Sequence, residues 1–117
     1  MIAPPDDGLA AEWSGRVYLN PPFGPRPLLD AFMRRMAEHG CGTALLAART
    51  ETALWFDRVW PKATAILFLK GRPHFHRWDG TRAEANSGCP IALIAYGWRD
   101  ASLLERCGLP GRFIGLL

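Results

Sequence analysis

The chain has 117 residues, enough to bury about two-thirds of its unfolded surface in one core and too few for two domains. Apolar residues at 49% and charged residues at 21% exclude a disordered chain, and no apolar run approaches the length of a membrane span. The net charge of +3 comes from 12 Arg and 2 Lys against 11 acids, and this arginine bias suits phosphate or guanine recognition, although a GC-rich genome would produce it equally.

The first residues carry Pro4, Pro5, Asp6 and Asp7 where a secretory leader would be basic and then apolar. Cys41, Cys89 and Cys107 are odd in number and have no paired spacing, so the expectation is reduced, buried thiols in a soluble cytoplasmic protein.

Proline and glycine punctuate the chain between apolar runs. Arg16 to Leu19 reads as a short strand ending at Asn20-Pro21-Pro22. Pro27 to His39 reads as a helix with Leu28, Leu29, Phe32, Met33 and Met36 on one stripe, Pro27 in its first turn and Gly40 closing it. Thr43 to Ala48 is a second strand. Thr50 to Trp60 is a second helix, with Thr50 as N-cap, Pro61 as terminator and Leu54, Trp55, Phe56 and Val59 turned inward.

Ala63 to Leu69 reads as a third strand ending before Gly71. The polar, aromatic-studded stretch from Gly71 to Gly88 has no helical period and predicts a hairpin-like excursion. The strand Pro90 to Tyr96 follows it and would run antiparallel to the strand before. Asp100 to Cys107 is a short helix before an apolar end. Strand–helix alternation over residues 1–117 predicts a single α/β domain whose sheet is mostly parallel, with helices on its faces and an antiparallel last strand.

Ligands of open α/β sheets bind beyond the carboxyl ends of the strands, where Asn20-Pro21-Pro22-Phe23 falls. Two consecutive prolines fix their φ angles and donate no N–H, so the carbonyls of Asn20 and Pro21 are left free to face a pocket. With the Asn20 side-chain oxygen and the Pro21 carbonyl as acceptors, such a site takes both hydrogens of one amino group, and Phe23 offers a face on which a ring stacks. An exocyclic amine on an aromatic base is a poor nucleophile until its lone pair is freed from the ring. Two acceptors favour the pyramidal amine and stabilise the positive charge that develops as it attacks a methyl group. Reaching that amine in a duplex requires flipping the base out of the stack.

This motif resembles the catalytic motif of amino-group DNA methyltransferases. Together with Gly8-Leu9, Trp13-Ser14-Gly15, Ala48-Arg49-Thr50-Glu51-Thr52, Trp55-Phe56, Phe68-Leu69-Lys70-Gly71-Arg72 and Phe75, it resembles the phage DNA N6-adenine methyltransferase (Dam-type) family over about residues 8 to 97. The resemblance implies methyl transfer from S-adenosylmethionine to the N6 amino group of adenine in double-stranded DNA, on a Rossmann-like methyltransferase sheet. Asn20 and Pro21 would hold the amine, Pro22 fix the turn and Phe23 stack on the base, with Arg49, Thr50, Arg72 and Phe75 as candidate DNA contacts.

Only 19 residues precede Asn20, without a glycine-rich turn after a strand or an acid to hold ribose hydroxyls, so the likeness is to the catalytic half, as if N-terminally truncated. That leaves three expectations: an active enzyme, an inactive domain that still binds DNA or a partner chain, and a split enzyme whose second chain supplies the missing strands. His74 and His76 have the spacing of two metal ligands but no convincing third, and no metal is expected. Three arginines, Arg72, Arg77 and Arg82, interleave with Trp78 in a pattern suited to nucleic acid.

Overall fold

In a computed structural model, residues 15–20, 26–71, 74–76, 82–86 and 90–116 are described, the two short segments 74–76 and 82–86 by their backbone. Strand β1 spans Val17–Leu19, helix α1 Arg26–His39 and strand β2 Gly42–Ala47. A π-helical segment, Trp55–Val59, leads to β3 (Ala65–Leu69), followed by β4 (His74–His76), β5 (Arg82–Asn86), β6 (Ile91–Tyr96), α2 (Trp98–Arg106) and β7 (Gly111–Gly115). No helix among the described residues is long and apolar enough to cross a membrane.

Five strands form one sheet in the order β1-β2-β6-β3-β7, and β4 pairs with β5 in a separate antiparallel hairpin. The α/β class and the antiparallel relation of β6 to β3 agree with the sequence reading; the expected mostly parallel sheet does not. Among the described strands of this sheet only β1 and β2 pair in parallel, while β2–β6, β6–β3 and β3–β7 are all antiparallel. The reason is where β6 enters. It wedges between β2 and β3, so β1, β2 and β3 still point the same way but the last two never touch.

Each face of the sheet is covered by different apolar side chains. On one, Val17, Leu19, Ala44, Leu46, Ile66, Ile94 and Tyr96 pack beneath Phe32, Met33 and Met36 of α1 and beneath Trp55 and Val59. On the other, Leu45, Leu67, Leu93 and Ala95 lie under Ala101 and Leu104 of α2. Every residue of β6 is buried, which is why its sequence is continuously apolar. A fully buried Leu, Ile or Met side chain contributes about 1.5–3 kcal/mol.

Helix α1 ends as its sequence predicts, since Gly40 takes φ 70° and its N–H donates to the Met36 carbonyl at 2.9 Å. The second helix departs from the reading. It is a π-helical segment in which the Trp60 N–H reaches the Trp55 carbonyl at 2.9 Å, five residues back. The wider turn brings Trp60 round beside Trp55, with ring centroids 5.3 Å apart, and swings Phe56 outward to 62% exposure. Thr50 does not cap it; Thr52 instead donates its hydroxyl to the Arg49 carbonyl at 2.8 Å. The apolar C-terminal stretch forms β7, an edge strand on β3. Buried thiols were expected, yet Cys107 is exposed and Cys41 half-buried.

Candidate functional site

Because β1 and β2 run in parallel, with Leu19 opposite Ala44, both deliver their carboxyl ends to the same rim of the sheet. Asn20 follows β1 there, half-buried, and its side chain has no hydrogen-bond partner among the described residues. Pro21, Pro22 and Phe23 lie outside the described residues. Arg49 and Thr50 follow β2 at the same rim, the first exposed and the second half-buried. Arg72 lies outside the described residues, and Phe75 sits on β4, where only the backbone is described. The fold thus brings Asn20, Arg49 and Thr50 to one rim.

The loop carrying Arg49 is held by backbone and side-chain hydrogen bonds. The Trp55 indole N–H donates to the Ala47 carbonyl at 3.0 Å and that of Trp60 to the Thr50 carbonyl at 3.3 Å. Ala48 N–H donates to the Pro90 carbonyl at 2.9 Å, tying the loop to the start of β6. Indoles taken from water need partners, and these two find them in loop carbonyls, that of Ala47 also accepting the Arg49 N–H at 2.8 Å.

Between the start of α1 and this loop opens a cleft of about 590 Å³. Leu29, Leu46 and Leu54 form its apolar wall, Arg26 and Arg49 line it from α1 and from the loop, and Asp30 and Asp57 line it as well. Asp30 accepts two bonds from the Arg58 guanidinium, at 3.1 and 3.3 Å, an ion pair that joins α1 to the π-helical segment. A smaller cleft lies beyond, lined by Arg34, Glu38, Asp57, Arg58 and Lys62. Sequence reasoning missed Arg26, Leu29, Asp30 and Leu54 as cleft residues; the one local signal was an arginine at the head of a helix whose first turn has no acid.

A second polar cluster lies at the opposite end of the sheet. Asp100, 4% exposed, accepts bonds from Arg16 Nε at 2.7 Å, Arg16 Nη2 at 3.2 Å and the Thr43 hydroxyl at 2.5 Å. Burial pushes the Asp100 carboxyl up, but the bonds from Arg16 and Thr43 outweigh it and hold it below its ordinary value. With both oxygens engaged by Arg16 and Thr43 near the amino ends of β1 and β2, this cluster reads as a structural clasp. Among the described residues no group of three His, Cys, Asp or Glu side chains is placed to hold a metal ion.

Comparison with protein-family models, with curated proteins and with solved structures finds no match for this chain.

Proposed function

We propose that the rim at the end of β1 is the amine-holding site of a DNA N6-adenine methyltransferase, acting on a base flipped from double-stranded DNA. The observation that supports this reading is the position of Asn20: half-buried, unpartnered among the described residues, at the carboxyl end of a strand whose neighbour runs the same way. Its carboxamide oxygen accepts one N–H of the exocyclic amine, and in the Asn-Pro-Pro-Phe motif the Pro21 carbonyl accepts the other. Both acceptors strengthen their hold as nitrogen becomes positive, which lowers the barrier without any covalent intermediate on the protein. Arg49, exposed at the same rim, is suited to a backbone phosphate.

The resemblance implies S-adenosylmethionine as the methyl donor. The described residues do not make a cradle for it: β1 is the edge of the described sheet, and Asp30, the acid nearest the start of α1, is engaged by Arg58. The place of β1 as the outermost of the described strands favours a second reading, a domain without turnover of its own that binds DNA or a partner chain whose strands extend the sheet.

Transfer of tritium from labelled S-adenosylmethionine to adenine-containing DNA tests the first reading. Asn20→Ala should lower the rate about 100-fold or more, while Arg112→Ala on β7 leaves it unchanged. Full activity in the Asn20 variant overturns the mechanism. Absence of both turnover and donor binding in the unaltered chain selects the second reading.

A further inference from the structure

The cleft between α1 and the Arg49 loop has no part in the amine-holding step, yet it has the size and lining of a ligand site. Its volume of about 590 Å³ falls within the roughly 300–1,000 Å³ that small-molecule sites span. Three features give it chemical direction. The first is positive charge at its mouth: Arg26 and Arg49 are both exposed, and neither has a partner among the described residues, whereas Arg16, Arg34 and Arg58 are each paired with a carboxylate. Arg26 also stands at the positive end of α1, whose first turn has no acid, an arrangement that repels charge until an anion arrives.

The second feature is the apolar wall of Leu29, Leu46 and Leu54, which offers a flat heterocycle nothing to bond with and much to cover. The third is Asp57, an exposed acceptor on the same lining, beside the Asp30–Arg58 pair that bridges the two helical walls. A lone carboxylate ligand would engage one guanidinium, while a phosphate monoester carries nearly two charges and enough oxygens for both forks. Phosphate at the mouth, ring on the leucines and hydroxyls toward Asp57 describe one class of molecule.

We infer that this cleft is a binding site for a nucleoside 5′-monophosphate unit, held by its phosphate between Arg26 and Arg49. That chemistry is shared by a free nucleotide and by the 5′-phosphorylated end of a nucleic-acid strand. The site shares Arg49 with the rim but does not use Asn20, and it needs neither methyl donor nor duplex.

Titration calorimetry of the full chain with adenosine 5′-monophosphate tests it, with adenosine and inorganic phosphate as partial ligands and a short oligonucleotide, with and without its 5′-phosphate, as the second source. The nucleotide should bind, and adenosine should bind about tenfold or more weakly for want of the phosphate. Arg26→Ala and Arg49→Ala should each weaken the nucleotide to a similar extent, Arg49→Lys less so, and Arg112→Ala not at all. Both arginines are exposed, so these variants should keep the fold. An oligonucleotide whose binding depends on its 5′-phosphate and on both arginines identifies a strand end as the ligand; binding of the free nucleotide alone identifies that instead. No binding at millimolar nucleotide, or binding indifferent to both arginine variants, overturns the inference. Loss of methyl transfer in Asn20→Ala with nucleotide binding intact would separate the two sites.

Discussion

Asp100 on α2 and Arg16 ahead of β1 meet in a two-pronged ion pair, 2.7 Å at its shorter arm, across 84 positions of sequence. The pair fastens the start of the edge strand to the helix on the other side of the chain's fold. Asp100→Ala leaves the Thr43 hydroxyl buried without its acceptor and should cost about 2–3 kcal/mol in urea unfolding at neutral pH. Asp30→Ala, at a pair nearly half exposed, should cost under about 1 kcal/mol.

The same carboxylate sets the acid limit. Its folded pKa lies below the ordinary value of 3.8, so its contribution is present above that value and is lost as pH falls through the folded pKa. Thermal melts of the unaltered protein should therefore weaken below about pH 4, and the gap between it and Asp100→Ala should close over that same range. A gap that stays constant down to pH 2 would count against the clasp.

Tyr96 governs the alkaline side. It is 1% exposed and its hydroxyl donates to the Arg58 carbonyl at 2.7 Å; burial raises its pKa far above the usual phenol range. A raised folded pKa gives stability that is full below the unfolded value near pH 10 and is lost as pH climbs toward the folded one. Ultraviolet titration should show Tyr96 ionising only with unfolding. Tyr96→Phe should cost about 1–2 kcal/mol through the orphaned carbonyl and remove that alkaline absorbance step.

Gly42 stands at the head of β2 with φ 141°, and a Cβ there would collide with the Val17 carbonyl of β1. Gly42→Ala should cost about 3 kcal/mol or more and part the parallel pair, because both the backbone conformation and the strand spacing exclude a side chain. Gly115, where a Cβ would meet open space, is the control; Gly115→Ala should stay within about 0.5 kcal/mol by denaturant unfolding.

Trp55 is 1% exposed, and its indole bond to the Ala47 carbonyl steadies the loop that carries Arg49. Trp55→Phe keeps much of the ring but removes the indole donor, leaving the Ala47 carbonyl with the Arg49 N–H alone at 2.8 Å, so it should cost about 1–2 kcal/mol and speed amide hydrogen exchange in residues 48–52. Phe56→Ala, at an exposed position next door, should do neither.

The strands β2, β3 and β6 were legible because proline and glycine bracket continuous apolar runs, and α1 because its stripe holds Phe32, Met33 and Met36 at helical spacing. The partners of β6 were not: an all-apolar strand carries no mark of which neighbours it will have, and its insertion between β2 and β3 is decided by the whole sheet. Strand β7 escaped notice because Gly111, Arg112 and Gly115 dilute its apolar pattern, as an edge position allows. Phe56 was misplaced by assuming 3.6 residues per turn where the chain adopts a wider one.

At the site, Asn20 could be singled out because two prolines after a short strand are a local peculiarity. The cleft could not. Arg26, Leu29 and Leu54 are ordinary residues of helix and loop, and only the packing of α1 beside the π-helical segment makes neighbours of them.

The interposition of β6 also governs the order in which the protein can be made. Strands β2 and β3 leave the ribosome early but are not paired with each other; the strand that joins them, Ile91–Tyr96, arrives later. The central sheet therefore cannot grow strand by strand behind the advancing chain. Its nucleus needs partners separated by dozens of residues, a slow topology, and until Tyr96 is free one edge of β2 and both edges of β3 lack the strands they pair with.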